Sequence, residues 1–123
     1  MALFSRIDTV ILRVKNIKKA RQWYQEVLEL NPTYAGDSDH RIVVFRVGEE
    51  TPLTIYELHS DEVRPAKRFS TTYPILFVED IEATHAKLKS RGVEVEELQD
   101  DGSVKFFGFY DPDGNRLEAC HWE

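Results

Sequence analysis

The stretch Ile11–Ile17 (ILRVKNI) recurs as Ile75–Ile81 (ILFVEDI), 64 residues further along the chain. The same offset pairs three more positions: Phe45 with Phe109, Leu53 with Leu117, and Thr54 with Glu118. One gap-free offset that aligns segments about forty residues apart indicates an internal repeat. We therefore predict two copies of one supersecondary unit of about 60 residues, fused in tandem.

The first copy predicts the element order β-α-β-β-β. Residues 9–14 alternate and are rich in β-branched side chains, which is typical of a strand. Asn16 suits a helix N-cap, and the pair Asn31-Pro32 is expected to end the helix. Further strands are predicted near 33–35 and over 41–47 and 53–58, with a polar loop at 36–40.

The second copy predicts the same order over 72–123, with a helix that Asp80 caps and Gly92 ends. Its strands are expected at 73–78, 93–97, 104–110 and 116–122, with a loop at 99–103 and a turn at 111–115. The modules span about 5–59 and 72–123, and the polar stretch 60–71 is read as a linker.

These elements predict an α+β fold and a single domain over residues 1–123. One helix covers only one face of a four-stranded sheet, so the other face needs another partner. We therefore expect two tandem βαβββ modules that form a curved mixed sheet around a cavity, where a ligand would bind.

Composition limits the function classes. The chain has 123 residues with 16 Lys+Arg against 22 Asp+Glu, a formal charge of −6. The excess lies entirely in residues 61–123, in part along the acidic run 94–101, which we expect to be solvated. This acidity argues against nucleic acid and anionic membranes as partners. A single cysteine, Cys120, excludes a disulfide framework and a multi-cysteine zinc cluster.

The N-terminal residues lack the pattern of a signal peptide, and no apolar run approaches the roughly 20 residues of a membrane helix. A cytoplasmic location is the expectation.

Two motifs carry a family resemblance: the Arg-Val-x-Asn/Asp-Ile pattern that opens the helix at 13–17, and Asp-Pro-Asp-Gly-Asn-Arg-Leu-Glu at 111–118. With the element order, they resemble the vicinal oxygen chelate superfamily of glyoxalase I, extradiol dioxygenases, fosfomycin-resistance enzymes and bleomycin-resistance protein. The resemblance covers the chain from about Arg6 to His121. It implies the paired-module fold described above and a homodimer.

The resemblance also implies four positions at which metal-dependent relatives carry ligands: Thr9, Thr54, Tyr73 and Glu118. Only Glu118 is a typical ligand, because threonine hydroxyls and a neutral phenol are weak donors to transition metals. No cofactor is therefore expected, and a divalent metal is the less favoured alternative.

The histidines and Glu57 are potential metal ligands outside the four family positions. No histidine is expected on the face of Glu118: His40 falls in a loop, His59 at the linker, His85 on a helix and His121 opposite by alternation. Glu57 is also expected to face away from Thr54, although a bulge would reverse this and pair Glu57 with Glu118.

The candidate catalytic residues are Glu118 and Tyr73. One interpretation of Glu118 is an inherited position that pairs with Tyr73 or water. The other is a cavity carboxylate whose pKa burial would raise, suited to acid–base work or to binding a ligand. The candidate ligand-binding residues are Thr9, Thr54, Tyr56, Tyr73, Phe45, Phe109, Glu118 and Trp122, although strand aromatics are also common core residues.

Two function classes follow. The favoured hypothesis is metal-free binding of a small organic molecule between the modules, as in the bleomycin-resistance branch. The alternative is a metal-dependent lyase, isomerase or dioxygenase of the vicinal oxygen chelate type. A metal-free enzyme that uses Glu118 and Tyr73, and a scaffold without a ligand, are smaller alternatives.

Overall fold

A computed structural model describes residues 2–36, 41–62 and 70–123, and the chain divides into two compact units, Met1–Val63 and Arg64–Glu123. Most of the predicted linker, at 63–69, and the loop residues 37–40 with His40 lie outside the described residues. Each unit is described by itself below.

The first unit has the predicted β-α-β-β-β order. Its elements are β1 (Val10–Val14), α1 (Ile17–Glu26), β2 (Asn31–Ala35), β3 (Ile42–Arg46) and β4 (Leu53–Glu57). The sheet order is β1-β4-β3-β2, with β1 parallel to β4 and the remaining pairs antiparallel. The sheet is therefore mixed, with β1 at one edge and β2 at the other.

The second unit repeats this plan with one interruption. Its elements are β5 (Ile75–Phe77), α2 (Ile81–Ser90), β6 (Glu94–Val95), β7 (Gln99–Asp100), β8 (Lys105–Tyr110) and β9 (Arg116–His121). The sheet order is β5-β9-β8-β6, and β7 also pairs with β8. The two helices and the strands of two mixed sheets confirm the α+β prediction for the described residues.

The loop predicted at 99–103 is wrong at its first two residues, which form β7. Asp101 explains the difference, because its carboxylate accepts hydrogen bonds from the backbone N–H groups of Ser103 (2.9 Å) and Val104 (2.8 Å). This closes a tight turn in which Gly102 has φ +95°, a conformation that glycine adopts without strain. The flanking residues are thereby placed opposite β8, where Gln99 pairs with Phe106.

The sequence repeat is also a repeat of hydrogen-bond register. Helices α1 and α2 begin and end at residues 64 apart, and the N-cap predictions hold, since Asn16 accepts from Lys19 N–H and Asp80 from Ala83 N–H, both at 3.0 Å. The equivalent strand partners match as well: Ile11 pairs with Thr54 where Ile75 pairs with Glu118, and Val44 pairs with Thr54 where Gly108 pairs with Glu118.

Each helix packs on one face of its own sheet. In the first unit the buried ring of Tyr24 on α1 stacks on Phe45 of β3, with ring centroids 5.6 Å apart. In the second unit His85 on α2 meets Phe107 of β8 edge-on at 4.7 Å. Since side chains alternate along a strand, the residues between these aromatic positions lie on the opposite face of each sheet.

Neither described helix is long and apolar enough to cross a membrane.

Candidate functional site

Thr9 and Thr54 meet on the face of the first sheet that lies opposite α1. Their hydroxyl oxygens are 2.6 Å apart, and Thr9 Oγ1 also lies 3.1 Å from the carbonyl of Pro52. A hydroxyl has one proton, so when Thr9 donates to Pro52, Thr54 donates to Thr9. Thr54 is only 1% exposed, and this contact satisfies its buried hydroxyl.

A depression of about 610 Å³ opens beside these two threonines, on the first unit alone. Its apolar lining includes Ile7, Ile11, Ile42 and Val44. Its charged lining consists of Arg6, Asp8, Glu49 and Glu50, and Arg6 is ion-paired with Asp8 at 2.8 Å. The depression is therefore lined by apolar side chains together with more acidic than basic groups.

Tyr56 lies further along the same face, where Arg13 covers it. The guanidinium carbon of Arg13 is 4.4 Å from the Tyr56 ring centroid, and its nitrogens reach both carboxylate oxygens of Glu62 at 2.6 and 2.8 Å. The Tyr56 hydroxyl is 3.0 Å from His59 Nε2. This predicted ligand residue is thus engaged by its own unit on both its ring and its hydroxyl.

Glu118 is placed on the corresponding face of the second sheet, but it is not an isolated carboxylate. Arg116 Nη2 donates to Glu118 Oε2 at 3.0 Å, and the Glu118 side chain is 10% exposed. A hydrogen bond to Glu118 raises the pKa of the Tyr73 phenol. The ion pair with Arg116 makes Glu118 a paired carboxylate, so it is not the isolated acid in an apolar cup that one interpretation expects.

Arg116 extends this cluster to Glu96 and Tyr110. Nη1 donates to Glu96 Oε2 at 2.7 Å and to the Tyr110 hydroxyl at 3.0 Å, while the Tyr110 hydroxyl donates to Glu96 Oε2 at 2.8 Å. Glu96, and then Glu118 and Tyr110, raise the pKa of Arg116 further above its usual range. The sequence analysis missed Glu96, Tyr110 and Arg116. The signal for Arg116 was its spacing of two residues from Glu118, which puts both on one face of β9.

Three predicted ligand-binding aromatics lie elsewhere. Phe45 is fully buried against Tyr24, and Phe109 is 2% exposed beside Phe107, so both are core residues on the helix side of their sheets. Trp122 was expected inside the last strand, but β9 ends at His121. The Trp122 side chain is largely exposed and packs edge-on against Phe77, with the ring centroids 5.3 Å apart.

Glu57 faces α1, as regular alternation predicted. Strand β4 pairs without a bulge, and the Glu57 carboxylate accepts the backbone N–H of Ile17 at 2.9 Å and an ion pair from Arg41. The carboxylate therefore lies at the N-terminus of α1, which is the positive end of the helix dipole. It therefore does not join Thr54 on the opposite face.

Two of the described histidines contact backbone carbonyl groups, and the Cys120 thiol lies beside Glu118 on the same strand face. His85 Nε2 contacts the Glu96 carbonyl at 2.9 Å, and His121 Nδ1 contacts the Val78 carbonyl at 2.7 Å. Burial, and then the Glu118 charge, raise the pKa of the Cys120 thiol. A raised pKa disfavours the reactive thiolate.

Neither unit's two family ligand positions fit a metal ion. Two of the four family ligand positions carry threonine hydroxyls bonded to each other, the third carries a phenol, and the fourth carries a carboxylate bound by a guanidinium. Among the described residues, no group of three or more His, Cys, Asp and Glu side chains is arranged to hold a metal ion. Hard and borderline metals need several such ligands.

Several solved structures share the fold across nearly the whole chain. The antibiotic binding protein TnmS3 from Streptomyces sp. is 21% identical with a TM-score of 0.81, and the match covers 100% of both chains. A glyoxalase family protein from Enterococcus faecalis is 25% identical with a TM-score of 0.76, covering 97% of this chain and 99% of that one. The genomically encoded fosfomycin resistance protein FosX from Listeria monocytogenes is 18% identical with a TM-score of 0.75, covering 98% and 96%.

A family model also matches residues 6–119, a span that contains both repeats and both motifs at 13–17 and 111–118. The chain belongs to the Glyoxalase/Bleomycin resistance protein/Dioxygenase superfamily.

Proposed function

We propose that this protein binds a small organic molecule without the help of a metal ion. The observation that carries the proposal is the state of the four family ligand positions. Thr9 and Thr54 are bonded to each other, and the Glu118 carboxylate is ion-paired with Arg116. A metal would have to break these contacts and would receive weak donors in return.

The depression on the first unit indicates the ligand's chemistry. Isoleucine and valine side chains line it, and burying apolar surface against them contributes about 25 cal/mol per Å². Carboxylates outnumber cationic groups in the charged lining, with Asp8, Glu49 and Glu50 against Arg6. We therefore favour a molecule with an apolar body and a neutral or cationic polar group.

Two solved relatives support small-molecule binding as the function class. One is titled an antibiotic binding protein and the other a fosfomycin resistance protein. Both are at most 21% identical to this chain, so the specific ligand does not transfer.

Thermal unfolding with a panel of apolar and amphipathic compounds tests the proposal, each measured with EDTA and with added Mn²⁺, Ni²⁺ or Zn²⁺. A compound at about 100 times its Kd stabilises the fold by about 2.7 kcal/mol, which for a chain of this size raises Tm by about 10 °C. We expect the same shift with EDTA and with metal. A shift that appears only with a metal ion would overturn the proposal.

Ile11→Glu places a carboxylate in the depression at a side chain already 48% exposed, and should abolish the shift for neutral compounds. The control is Leu3→Glu, which introduces the same group at a position 90% exposed and outside the lining. Equal loss in both variants would place the ligand elsewhere.

The homodimer implied by the family resemblance stays a prediction, which light scattering tests.

A further inference from the structure

Arg116 is the residue around which the polar side chains of the second sheet are arranged. Its guanidinium bonds to Glu96 at 2.7 Å and to Glu118 at 3.0 Å, and lies over the Tyr73 ring with its central carbon 5.2 Å from the centroid. We propose that Arg116 is a built-in cation that replaces a metal's charge at Glu118 and keeps divalent cations away from this carboxylate.

Gly108 provides the space for this arrangement. It pairs directly with Glu118 across β8 and β9. A Cβ at this position would stand 2.5 Å from both terminal nitrogens of Arg116 and would also collide with the Glu96 carboxylate. Glycine therefore leaves room for the guanidinium to cross the strand, and a Cβ here would force the ends of the Arg116 and Glu96 side chains to move.

The charges explain how a guanidinium excludes a metal ion. A guanidinium stays protonated at any physiological pH, so Arg116 permanently neutralises one of the two carboxylate charges it contacts. A divalent cation at Glu118 would stand within a few ångströms of this fixed positive charge. Because Arg116 is only 18% exposed, water screens that repulsion incompletely.

The hydrogen bonds lead to the same conclusion. One oxygen of Glu118 and one of Glu96 are committed to Arg116, and the Tyr110 hydroxyl bridges Glu96 and Arg116. A metal ion would need to displace charge-assisted bonds, which are about twice as strong as neutral ones. The inference deepens the proposal of metal-independent binding by naming the residue that enforces it.

Removing the guanidinium tests the inference. Arg116→Gln leaves the Glu96 and Glu118 carboxylates without the guanidinium that lies between them, and carboxylate oxygens together with water are donors that suit Mn²⁺. Mn²⁺ titration followed by the loss of the free-ion electron paramagnetic resonance signal should show roughly tenfold tighter binding or more than in the wild type. Adding Glu118→Gln to Arg116→Gln should abolish the gain, and Arg116→Lys, which keeps the charge, should not produce it.

Lys105→Gln is the matched control, because it removes one positive charge from the same unit at an exposed pair with Glu82. If Arg116→Gln binds Mn²⁺ no better than Lys105→Gln, Arg116 does not exclude cations and the inference is overturned. Wild-type protein that already binds one Mn²⁺ through Glu118 overturns it too.

Gly108→Ala is the second variant, used where circular dichroism shows that Arg116→Gln fails to fold. It keeps the arginine but adds a Cβ from which the guanidinium must move away. The affinity for Mn²⁺ that depends on Glu118 should therefore rise above that of the wild type. No rise overturns the inference. A result against Arg116 would leave the ligand screen intact, and a failed ligand screen would leave the Mn²⁺ result intact.

Discussion

The paired hydroxyls of Thr9 and Thr54 allow a quantitative test of how the first unit satisfies its family ligand positions. The two Thr→Val substitutions keep the side-chain shape and remove one hydroxyl each. They differ in what remains. Thr9→Val leaves the Thr54 hydroxyl, which is 1% exposed, without its 2.6 Å partner. Thr54→Val leaves the half-buried Thr9, which still donates to Pro52 and can accept from water.

The magnitudes follow from this asymmetry. A buried polar group left without a partner costs about 1–3 kcal/mol, so we expect Thr9→Val to lower the free energy of unfolding by about 2 kcal/mol. Thr54→Val should cost about 1 kcal/mol, the ordinary net value of one hydrogen bond. The Pro52 carbonyl loses little in either case, since it also accepts the Val10 N–H at 3.2 Å.

The double variant distinguishes this account from independent effects. Replacing both partners by apolar groups of the same shape is nearly neutral, so Thr9→Val/Thr54→Val should cost no more than about 1 kcal/mol, well below the sum of the single costs. Urea unfolding followed by circular dichroism measures all four proteins as a double-mutant cycle. Additive costs, or a larger cost for Thr54→Val than for Thr9→Val, would refute the hydroxyl pairing.

Three further predictions follow from the same structure. Phe45→Ala should destabilise the first unit by about 3–5 kcal/mol in urea unfolding, because the ring is fully buried against Tyr24; a cost under 1 kcal/mol would contradict a core role. The Val78 carbonyl and Glu123 raise the pKa of His121 above its usual 6.5, so its stabilising contribution is complete below that pH and is lost as pH rises through the folded-state pKa. The stability difference between wild type and His121→Gln should therefore shrink from acid to mildly alkaline pH, and a difference that grows instead would be inconsistent. Cys120, the only cysteine, should react with iodoacetamide more slowly than free cysteine at pH 8, and Glu118→Gln should speed the reaction, because burial and then the Glu118 charge raise the thiol pKa.

The internal repeat made most of the fold predictable. The 64-residue offset located the first residue of both helices and paired Thr54 with Glu118 at equivalent register. The predicted end of the first helix was wrong, because α1 already ends at Glu26 and the pair Asn31-Pro32 belongs to β2. The offset succeeded because the two copies kept the apolar spacing that fixes strand and helix faces. The strand at residues 99–100 was not predicted, because its polar residues are also typical of a turn. In the structure the turn begins after them, and they pair with β8.

The polar cluster of the second unit was less predictable. Glu96 and Arg116 are 20 residues apart, and their contact depends on β6, β8 and β9 lying side by side. The repeat pairs Arg116 with Pro52 and Gly108 with Val44. The cluster around Arg116 therefore exists in the second copy only, and the repeat could not predict it. Glu118 could be located from the sequence, but its electrostatic environment could not.

Metal analysis of the purified wild-type protein by mass spectrometry tests the central claim most directly. The protein is expressed without a metal-binding tag and purified without chelators. The account predicts far less than one divalent ion per chain, because Thr9 and Thr54 are bonded to each other and Glu118 is ion-paired with Arg116. One stoichiometric ion per chain that disappears in Glu118→Gln would contradict it.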